Sequence, residues 1–448
     1  MNPILEATNA QPSITDRDLR RRLTEQVRAC REFPAVVQVP CSASPYRWLA
    51  AQDESFKLVW SERGGEPTTA GLGIALRITG NPGESAAAII DRCHFVLRGL
   101  PTQRFFGGFS FRRTEPTDLR WCEFGAASFW LPRATLANDQ LSIVIMDEHD
   151  VPTVIEYVAG LNLSDHVEAD EATLPARVSR RDEPNRNDWT SGIESAMKLF
   201  ADEVLEKIVL ARRVDLQFSE PLSPVPLLEQ LAAATPACFH FAFQLSATHG
   251  FIGATPERLY RRCGRDLESE VVAGTRSRGS SPDDDERLGS ELLGSTKDQL
   301  EHDIVRKSIR QRLHGVVQQL NVDQRAKLLK LANKQHLYSH VRGTLAATSG
   351  DGELIERLHP TPAVGGYPTE NALAEIARLE RFDRGWYAAP VGWIGADSAE
   401  FAVAIRSGLV RDNELSLYSG AGIVPGSCAE DEWNEIEHKI SDFLLLLP

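Results

Sequence analysis

The chain has 448 residues, 42% of them hydrophobic, and its 63 acidic against 49 basic side chains give a formal net charge of −14. This length and apolar content are enough to bury a large core, within one large domain or two to three ordinary ones. The acidic balance argues against nucleic acid or an anionic membrane as a partner, because both bind to basic surfaces.

Cysteine usage and the N-terminal sequence predict a cytoplasmic protein. The seven cysteines are scattered and form no CxxC pair, which favours free thiols in a reducing compartment over a disulfide framework or a zinc site. The N-terminus lacks the pattern of a signal peptide, and no run of eighteen apolar residues occurs that could span a membrane.

The first part of the chain is predicted to be rich in strands. A helix is expected over residues 13–31, beginning at Ser13 or Thr15. The strand-like runs that follow are PAVVQVP, FKLVWSER, GLGIALRITG, QRFFGGFSF, ASFWLPRATLA and DQLSIVIM. Few helical patterns separate them, so an antiparallel sheet is more plausible than a doubly wound parallel one. The polar stretch 164–188 predicts a boundary between an N-terminal half, 1–188, and a C-terminal half, 189–448.

The C-terminal half alternates helices and strands. Helices are predicted at 189–206, near 224–234, over 282–320 and at 430–446, and the third begins after Ser281 with Pro282 in its first turn. The predicted strands are KIVLARRVDLQF, FHFAFQL, HGFIGATPERLYRR, HLYSHVRGTL, PVGWIG, FAVAIRSGLV and ELSLYSGAG.

Common nucleotide-binding signatures are not met. GSELLGSTK at 289–297 has no lysine directly after its second glycine, and GAGIVPG at 420–426 has its third glycine one position too late for a dinucleotide fingerprint. The glycines of the second motif are better suited to letting backbone amides approach a ligand carboxylate.

Two helices carry pairs of acidic residues at the same spacing. Asp298 and Glu301 are three residues apart, as are Glu432 and Glu435, and Lys439 follows Glu435 by four. Each pair fits an exposed helix face. Together they could also supply the hard oxygen ligands that Mg²⁺ prefers, and spacing alone does not decide between the two.

Three further residues have both a structural and a chemical interpretation. Lys207 opens the strand KIVLARRV, where it could reach water or, if buried, act as a general base. Glu257 follows a proline at a strand end, as a plain turn residue or a general acid held in a cleft. His336 could contact a ligand or be a satisfied core histidine.

Nine segments occur in an order that resembles one known family, the chorismate-utilising enzymes, which include isochorismate, salicylate, anthranilate and aminodeoxychorismate synthases. The resemblance covers residues 190–446, and the N-terminal half matches more loosely. The segments are KIVLARR, FIGATPERL, VVAGTRSRG, STKDQLEHDIV, HLYSHVRG, LHPTPAVGGYP, VAIRSG, LYSGAGIVPGS and EDEWNEIEHKI.

The resemblance implies a single intertwined α+β fold with large stacked antiparallel sheets, a Mg²⁺ cofactor and chorismate as substrate. It implies that Glu301 and Glu435 hold the metal, with Asp298 and Glu432 supporting them through water, and that the metal holds the ring carboxylate. The positions that it implies for substrate binding are Arg406, Tyr387, Gly420, Gly422 and Lys439 at the second carboxylate, Gly274 and Thr275 beside the ring, His336 nearby, and Ala363 and Val364.

Particular residues indicate the branch of the family. Lys207 stands where isochorismate and salicylate synthases have a water-activating lysine, and Ala273 replaces the lysine nucleophile of some aminodeoxychorismate synthases. Ala363 and Val364 resemble the isochorismate synthase form, although leucine is common at the second position. No glutamine amidotransferase is fused to the chain, and none is expected as a partner.

The resemblance therefore implies an isochorismate synthase. Lys207 would deprotonate a water that attacks C2 of chorismate, and Glu257 would protonate the departing C4 hydroxyl. The alternatives are a salicylate synthase, which also eliminates pyruvate, and a non-catalytic chorismate-binding regulatory protein. The other acidic residues of the last helix, Glu430, Asp431 and Glu437, are expected to be first-turn or solvated charges. The sequence leaves open whether the product feeds menaquinone, a siderophore or salicylate.

Overall fold

The alternating apolar runs of the sequence form the strands of one continuous sheet. The computed structural model describes residues 15–64, 67–163, 174–331 and 334–447, and within these ranges every strand pairing is antiparallel. The strands are β1 Ala35–Pro40, β2 Lys57–Ser61, β3 Thr68–Gly80, β4 Phe105–Phe109, β5 Ala127–Ala137, β6 Gln140–Ile145, β7 Arg177–Glu183, β8 Lys207–Phe218, β9 Phe239–Ser246, β10 His249–Thr255, β11 Arg258–Cys263, β12 Asp266–Ser277, β13 Val317–Val322, β14 Lys327–Lys330, β15 Lys334–Leu345, β16 Gly366–Tyr367, β17 Pro390–Ile394, β18 Ser398–Val403, β19 Ser407–Arg411 and β20 Glu414–Ile423.

Helices cover the outside of this sheet, which confirms the predicted α+β class. They are α1 Asp16–Ala29, α2 Pro45–Ala50, α3 Ala86–Leu97, α4 Val151–Gly160, α5 Arg186–Ala201, α6 Pro224–Ala234, α7 Pro282–Gly294, α8 Thr296–Leu313, α9 Asp351–Leu358, α10 Thr369–Leu379 and α11 Ala429–Leu444. None of the helices in the described residues is long and apolar enough to cross a membrane.

Helix ends follow local side-chain signals, with one correction. Thr15 caps α1 by accepting from the Asp18 amide, as predicted, while Ser13 lies outside the described residues. Ser281 caps α7 and Pro282 occupies its first turn. The single helix predicted over 282–320 is wrong, because Ser295 ends α7 and caps α8 through the Asp298 amide, and β13 replaces the expected final turns.

Two runs that were predicted as unbroken strands are interrupted side by side. HGFIGATPERLYRR divides into β10 and β11 around Pro256, which has no N–H to donate, and FAVAIRSGLV divides into β18 and β19 near Arg406, whose φ is 49°. Because β10 pairs with β19 and β11 with β18, both interruptions lie at the same place. The sheet opens there, between Glu257 and Arg406.

The N-terminal and C-terminal parts of the chain share this sheet. β2 pairs with β9 and β4 pairs with β17. One aromatic-rich core joins both parts, and Trp60, Trp130, Phe241 and Trp386 belong to it. The stretch 164–188 contains β7, which pairs with β8, and the start of α5. The division at residue 188 stays a prediction about chain organisation within a common core.

Two helices flank the opening of the sheet. α8 packs on β12, and α11 packs on β20, where Trp433 and Ile436 join a buried cluster with Leu210 and Ala421. These helices carry the two acidic pairs that the sequence singled out. The fold therefore places both pairs near the interrupted strands.

Candidate active site

A pocket enclosing about 700 Å³, including its solvent-open part, lies at the opening between the interrupted strands. All ten residues expected to bind substrate line it, together with Glu257, Glu301 and Glu435. Those ten are Gly274, Thr275, His336, Ala363, Val364, Tyr387, Arg406, Gly420, Gly422 and Lys439. The fold thus brings together positions spread over 183 residues of sequence, from 257 to 439. Their individual roles stay predictions.

Lys207 lies behind the pocket wall. Its side chain is fully buried, and its ammonium donates to Oε1 of Glu301 at 2.8 Å, so the alternative in which it reaches water is wrong. A Cβ on Gly422 would come within 2.3 Å of that carboxylate oxygen and 3.1 Å of Cε of Lys207. Glycine at 422 therefore leaves room for the Lys207–Glu301 pair beside the pocket.

Glu257 is held as a carboxylic acid. It is only 5% exposed, and burial raises its pKa to about 8, although the nearby Lys207 opposes the rise. At neutral pH the side chain therefore carries a proton at the pocket wall. This protonation is what a general acid requires and what a plain turn glutamate lacks.

His336 is neutral, and its hydrogen bonds define its tautomer. Burial, reinforced by Arg406, lowers its pKa well below the ordinary value. Nη2 of Arg406 lies 2.9 Å from Nε2, and because a guanidinium only donates, Nε2 accepts. Nδ1 therefore carries the proton, facing the Gly274 carbonyl at 3.1 Å and Oγ1 of Thr275 at 3.0 Å. The register of β12 and β15, which opposes Thr275 and His336, sets this contact.

Cationic and aromatic side chains also line the pocket. Arg406 lies 3.8 Å from Asp442 in addition to its contact with His336. Lys439 donates to the Gly420 carbonyl at 2.9 Å and pairs with Glu435 at 2.7 Å. The buried Tyr387 ring lines the same pocket. Two positive side chains thus face a pocket in an acidic protein, which suits an anionic ligand.

The acidic pairs on α8 and α11 are not exposed helix faces. Asp298 and Glu432 are buried, and each has one basic partner, Arg276 at 2.9 Å and Lys297 at 2.6 Å. Neither lines the pocket, whereas Glu301 and Glu435 do. In the described part of the chain, no cluster of three or more His, Cys, Asp or Glu side chains is arranged to hold a metal ion.

Neighbouring charges nevertheless shift the pKa values of the two α11 carboxylates in opposite directions. Burial, and then the neighbouring Glu435, raises the pKa of Glu432. Partial burial would raise the pKa of Glu435 too, but Lys439 lowers it. Oε2 of Glu432 is buried and lacks a hydrogen-bond partner among the described residues. Carboxylate oxygens are the kind of ligand that Mg²⁺ prefers. In this structure the ammonium groups of Lys297 and Lys439 neutralise the carboxylates of Glu432 and Glu435.

The remaining acidic residues of α11 differ from expectation at one position. Glu430 pairs with Arg186 at the surface, in line with the prediction. Glu437 does not: it pairs with Arg180 and with the fully buried Arg212, whose guanidinium stacks 3.7 Å from the Trp433 ring. The prediction of a merely solvated charge at Glu437 is wrong, because a buried arginine needs a carboxylate partner.

Several residues that line the pocket are not predicted from the sequence. They are apolar or small side chains without chemical function: Val209, Pro256, Val272, Ile405 and Ser419. Strand alternation could have indicated Val209, which shares a strand face with Lys207. Pro256 and Ile405 lie at the strand interruptions, where alternation gives no signal, whereas Val272 and Ser419 lie within β12 and β20.

Comparison with known proteins identifies the class to which this fold and pocket belong. The family profile described as "Chorismate binding enzyme" matches residues 23–448, so the chain belongs to the chorismate-binding enzyme family. Its relatives include the isochorismate synthase MenF of Bacillus subtilis (strain 168), 35% identical over 353 residues, or 76% of this chain and 74% of that enzyme. Another is the isochorismate synthase MenF of Escherichia coli (strain K12), 32% identical over 89% of this chain and 90% of that enzyme.

The solved structures include a similar fold. The structure of MenF, the menaquinone-specific isochorismate synthase from Escherichia coli, aligns with a TM-score of 0.83 at 29% identity. The alignment covers 96% of this chain and all of that chain. The N-terminal half, where the sequence resemblance is loose, is therefore part of the same fold.

Proposed function

We propose that this chain is an isochorismate synthase, which converts chorismate to isochorismate. The observation that carries the proposal is the buried Glu257 in one pocket with the cationic and glycine positions, next to the buried Lys207. An acid and a potential base beside one anion-binding pocket suit an exchange of hydroxyl groups. The similarity to isochorismate synthases over most of the chain supports the same reaction.

In the proposed reaction, water enters at one ring carbon and leaves from another. Lys207 takes a proton from water as its oxygen bonds to C2, the ring double bonds shift, and the C4–O bond breaks. Glu257 gives its proton to the departing hydroxyl, which leaves as water. One water is consumed and one is released, so the reaction is a reversible isomerisation that needs no redox step.

The pocket supplies positive charge for a substrate with two carboxylates. Arg406 and Lys439 are the cationic groups, and Tyr387 closes the pocket beside them. The Lys439 ammonium has three donors, of which the Gly420 carbonyl and Glu435 take two, so one remains for a ligand. We assign these residues, with the Gly420 and Gly422 backbone, to the side-chain carboxylate of chorismate. Gly274, Thr275 and His336 would lie along the ring.

Mg²⁺ is the proposed cofactor, held by Glu301 and Glu435, with Asp298 and Glu432 supporting it through water. The buried Oε2 of Glu432 without a hydrogen-bond partner is an acceptor that such a water could satisfy. When bound, Mg²⁺ would supply the charge that neutralises and orients the ring carboxylate. Glu301 would then be shared between the metal and the Lys207 ammonium.

The similarity to a menaquinone-specific enzyme over nearly the whole chain favours menaquinone synthesis as the use of the product. The scattered cysteines favour the cytoplasm, a reducing compartment, as the place of reaction. Chorismate, which carries two carboxylates, is the proposed small-molecule partner.

The test is to incubate the purified protein with chorismate and Mg²⁺ and identify every product by chromatography. Isochorismate alone is the expected result. Salicylate and pyruvate would instead identify a salicylate synthase. Binding of chorismate without turnover, at saturating Mg²⁺, would overturn the enzymatic proposal in favour of a regulatory protein.

A further inference from the structure

A buried ion pair that the proposed chemistry does not use lies directly behind the pocket. The side chains of Arg384 and Glu380 are 3% and 4% exposed, respectively. They form a bidentate ion pair, in which Nε of Arg384 donates to Oε2 of Glu380 at 2.8 Å and Nη2 donates to Oε1 at 2.5 Å. Two charges removed from water are tolerated only where further hydrogen bonds satisfy them, so the other partners of this pair are informative.

Those partners are backbone groups of β8, the strand that begins at Lys207. The short strand β16 pairs only with the first two residues of β8, and Val209 then donates its amide to the Gly365 carbonyl at 2.9 Å. Beyond that point the ion pair takes the place of a neighbouring strand. The Val209 carbonyl accepts from Nη2 of Arg384 at 2.8 Å, and the Ala211 amide donates to Oε1 of Glu380 at 2.8 Å.

The same guanidinium also contacts the pocket-lining segment that leads into β16. Nη1 of Arg384 donates to the Val364 carbonyl at 2.8 Å, and both Val364 and Val209 line the pocket. The Arg384 carbonyl also accepts from the amide of Tyr387, a third lining residue, at 2.9 Å. The Phe111 ring, 4.4 Å from the guanidinium carbon, packs against the group. The planar guanidinium thus joins two segments of the pocket wall, at Val209 and Val364, while the backbone of the same residue contacts Tyr387.

We propose that Arg384, fixed by Glu380, is a positioning residue for the active site. Together with the β8–β16 pairing and the Val209–Gly365 hydrogen bond, it fixes the Lys207 strand relative to the Val364 segment, and hence the placement of a bound substrate against Lys207 and Glu257. Arg384 does not touch the pocket itself, and no other side chain in the described residues donates to both the Val209 and Val364 carbonyls. The kinetic part of this proposal rests on the proposed isochorismate synthase activity.

The first test compares Arg384→Lys with Arg381→Lys. Lysine keeps the charge next to Glu380, but one ammonium on a flexible stem does not reproduce the planar fork that joins two carbonyls. A misplacement of about 1 Å can cost roughly 10²-fold in rate, so we expect kcat/KM per folded molecule to fall by about 10- to 100-fold. Arg381 is 70% exposed and pairs with Asp188 at the surface, so its substitution should leave both kcat and KM unchanged.

Hydrogen exchange measured by mass spectrometry gives a second readout that does not depend on activity. Peptides spanning 207–213 and 361–367 should exchange faster in Arg384→Lys than in Arg381→Lys. Glu380→Gln keeps an acceptor for the Ala211 amide and should give smaller changes in the same direction. It serves as the test variant if Arg384→Lys does not fold.

Loss of thermal stability with unchanged kcat and KM per folded molecule would overturn the positioning role and leave a structural one. Unchanged hydrogen exchange in both segments would show that Arg384 does not hold them together, and would overturn the proposal. If the wild-type protein makes no isochorismate, the proposed function fails, whereas the exchange experiment still decides whether Arg384 holds the two segments together.

Discussion

The Lys207 ammonium donates to Oε1 of Glu301 at 2.8 Å, so the proposed base and a proposed metal ligand form one ion pair. The same carboxylate lines the pocket, whereas the lysine lies behind it. Any group that draws charge from Glu301 therefore changes the interaction that stabilises the ammonium. In the proposed mechanism, the metal site and the base would therefore be connected through this one contact.

Replacing Glu301 by glutamine should weaken Mg²⁺ dependence or abolish activity, because a neutral amide is a poorer ligand for a hard cation. We expect the Mg²⁺ concentration for half-maximal activity to rise, and Mg²⁺ to raise the Tm of the variant less than that of the wild type. Glu430→Gln, at a surface ion pair on α11, is the matched control and should behave as wild type. An unchanged Mg²⁺ titration in Glu301→Gln would remove this residue from the metal site.

Replacing Lys207 by alanine should remove turnover while chorismate still binds. General-base catalysis contributes about 10²–10⁴-fold, so kcat should fall by at least that range, and equilibrium binding measured by calorimetry should persist. Lys207→Met fills more of the buried space and separates loss of the amine from loss of packing. Lys198→Met, on the exposed side of α5, is the control. Near-normal kcat in both Lys207 variants would exclude the lysine from the mechanism.

The acid form of Glu257 predicts an alkaline limit to the forward reaction. Its pKa is about 8, so raising the pH through that value removes the proton that the C4 hydroxyl must receive, and the rate should decline. The measurement is kcat/KM against pH from 6 to 10. Glu257→Gln should lower the rate by about 10²–10⁴-fold and abolish this limb. A wild-type profile that stays flat through pH 9 would contradict the assignment.

The same group makes stability depend on pH. Because burial raises the pKa of Glu257, the folded state holds a proton that the unfolded chain loses near pH 4.5. The resulting stabilisation is complete below that value, declines as the pH rises, and is gone above about 8. Glu257→Gln should therefore show a smaller fall in the free energy of unfolding between pH 5 and 8 than the wild type, measured by urea denaturation.

The sequence predicts the strands well and their interruptions poorly. Alternation identifies the run around Arg406 as a strand, yet it carries no signal for the point at which β18 gives way to β19, since that depends on a positive φ and on neighbouring strands. The one-helix prediction for 282–320 fails for a related reason. Ser295 is compatible with a helix interior and becomes a cap only when its hydroxyl accepts from the Asp298 amide.

The candidate site divides in the same way. Residues with chemical function, such as Glu257 and His336, could be named from motifs and meet in one pocket. Residues that act through distant backbone groups could not be found. Arg384 reaches the Val209 carbonyl across 175 positions, and no local pattern indicates such a contact. The prediction of a solvated charge at Glu437 fails because its partner Arg212 lies on a strand 225 positions earlier in the sequence.

Asp442 should matter for substrate binding although it lies outside the pocket. Its carboxylate accepts a hydrogen bond from the buried Lys334 at 2.8 Å and lies 3.8 Å from Arg406. It therefore lies between two cationic side chains and reduces their mutual repulsion. Burial, and then Arg406, lowers the pKa of Lys334 to about 8 in spite of this carboxylate. Removing one partner of a buried pair costs about 3–5 kcal/mol, so Asp442→Asn should lower stability markedly. Without this carboxylate, Arg406 should be less well oriented toward the substrate, so the KM for chorismate should also rise.

A double variant distinguishes charge balance from packing. In Lys334→Met with Asp442→Asn, both members of the buried pair are neutral, so the variant should be more stable than Asp442→Asn alone. Its KM should remain raised if Asp442 orients Arg406, because the second change restores no partner for the guanidinium. Urea denaturation and steady-state kinetics on the same preparations provide both readouts. Wild-type values of KM in Asp442→Asn would show that His336 alone is sufficient to orient Arg406.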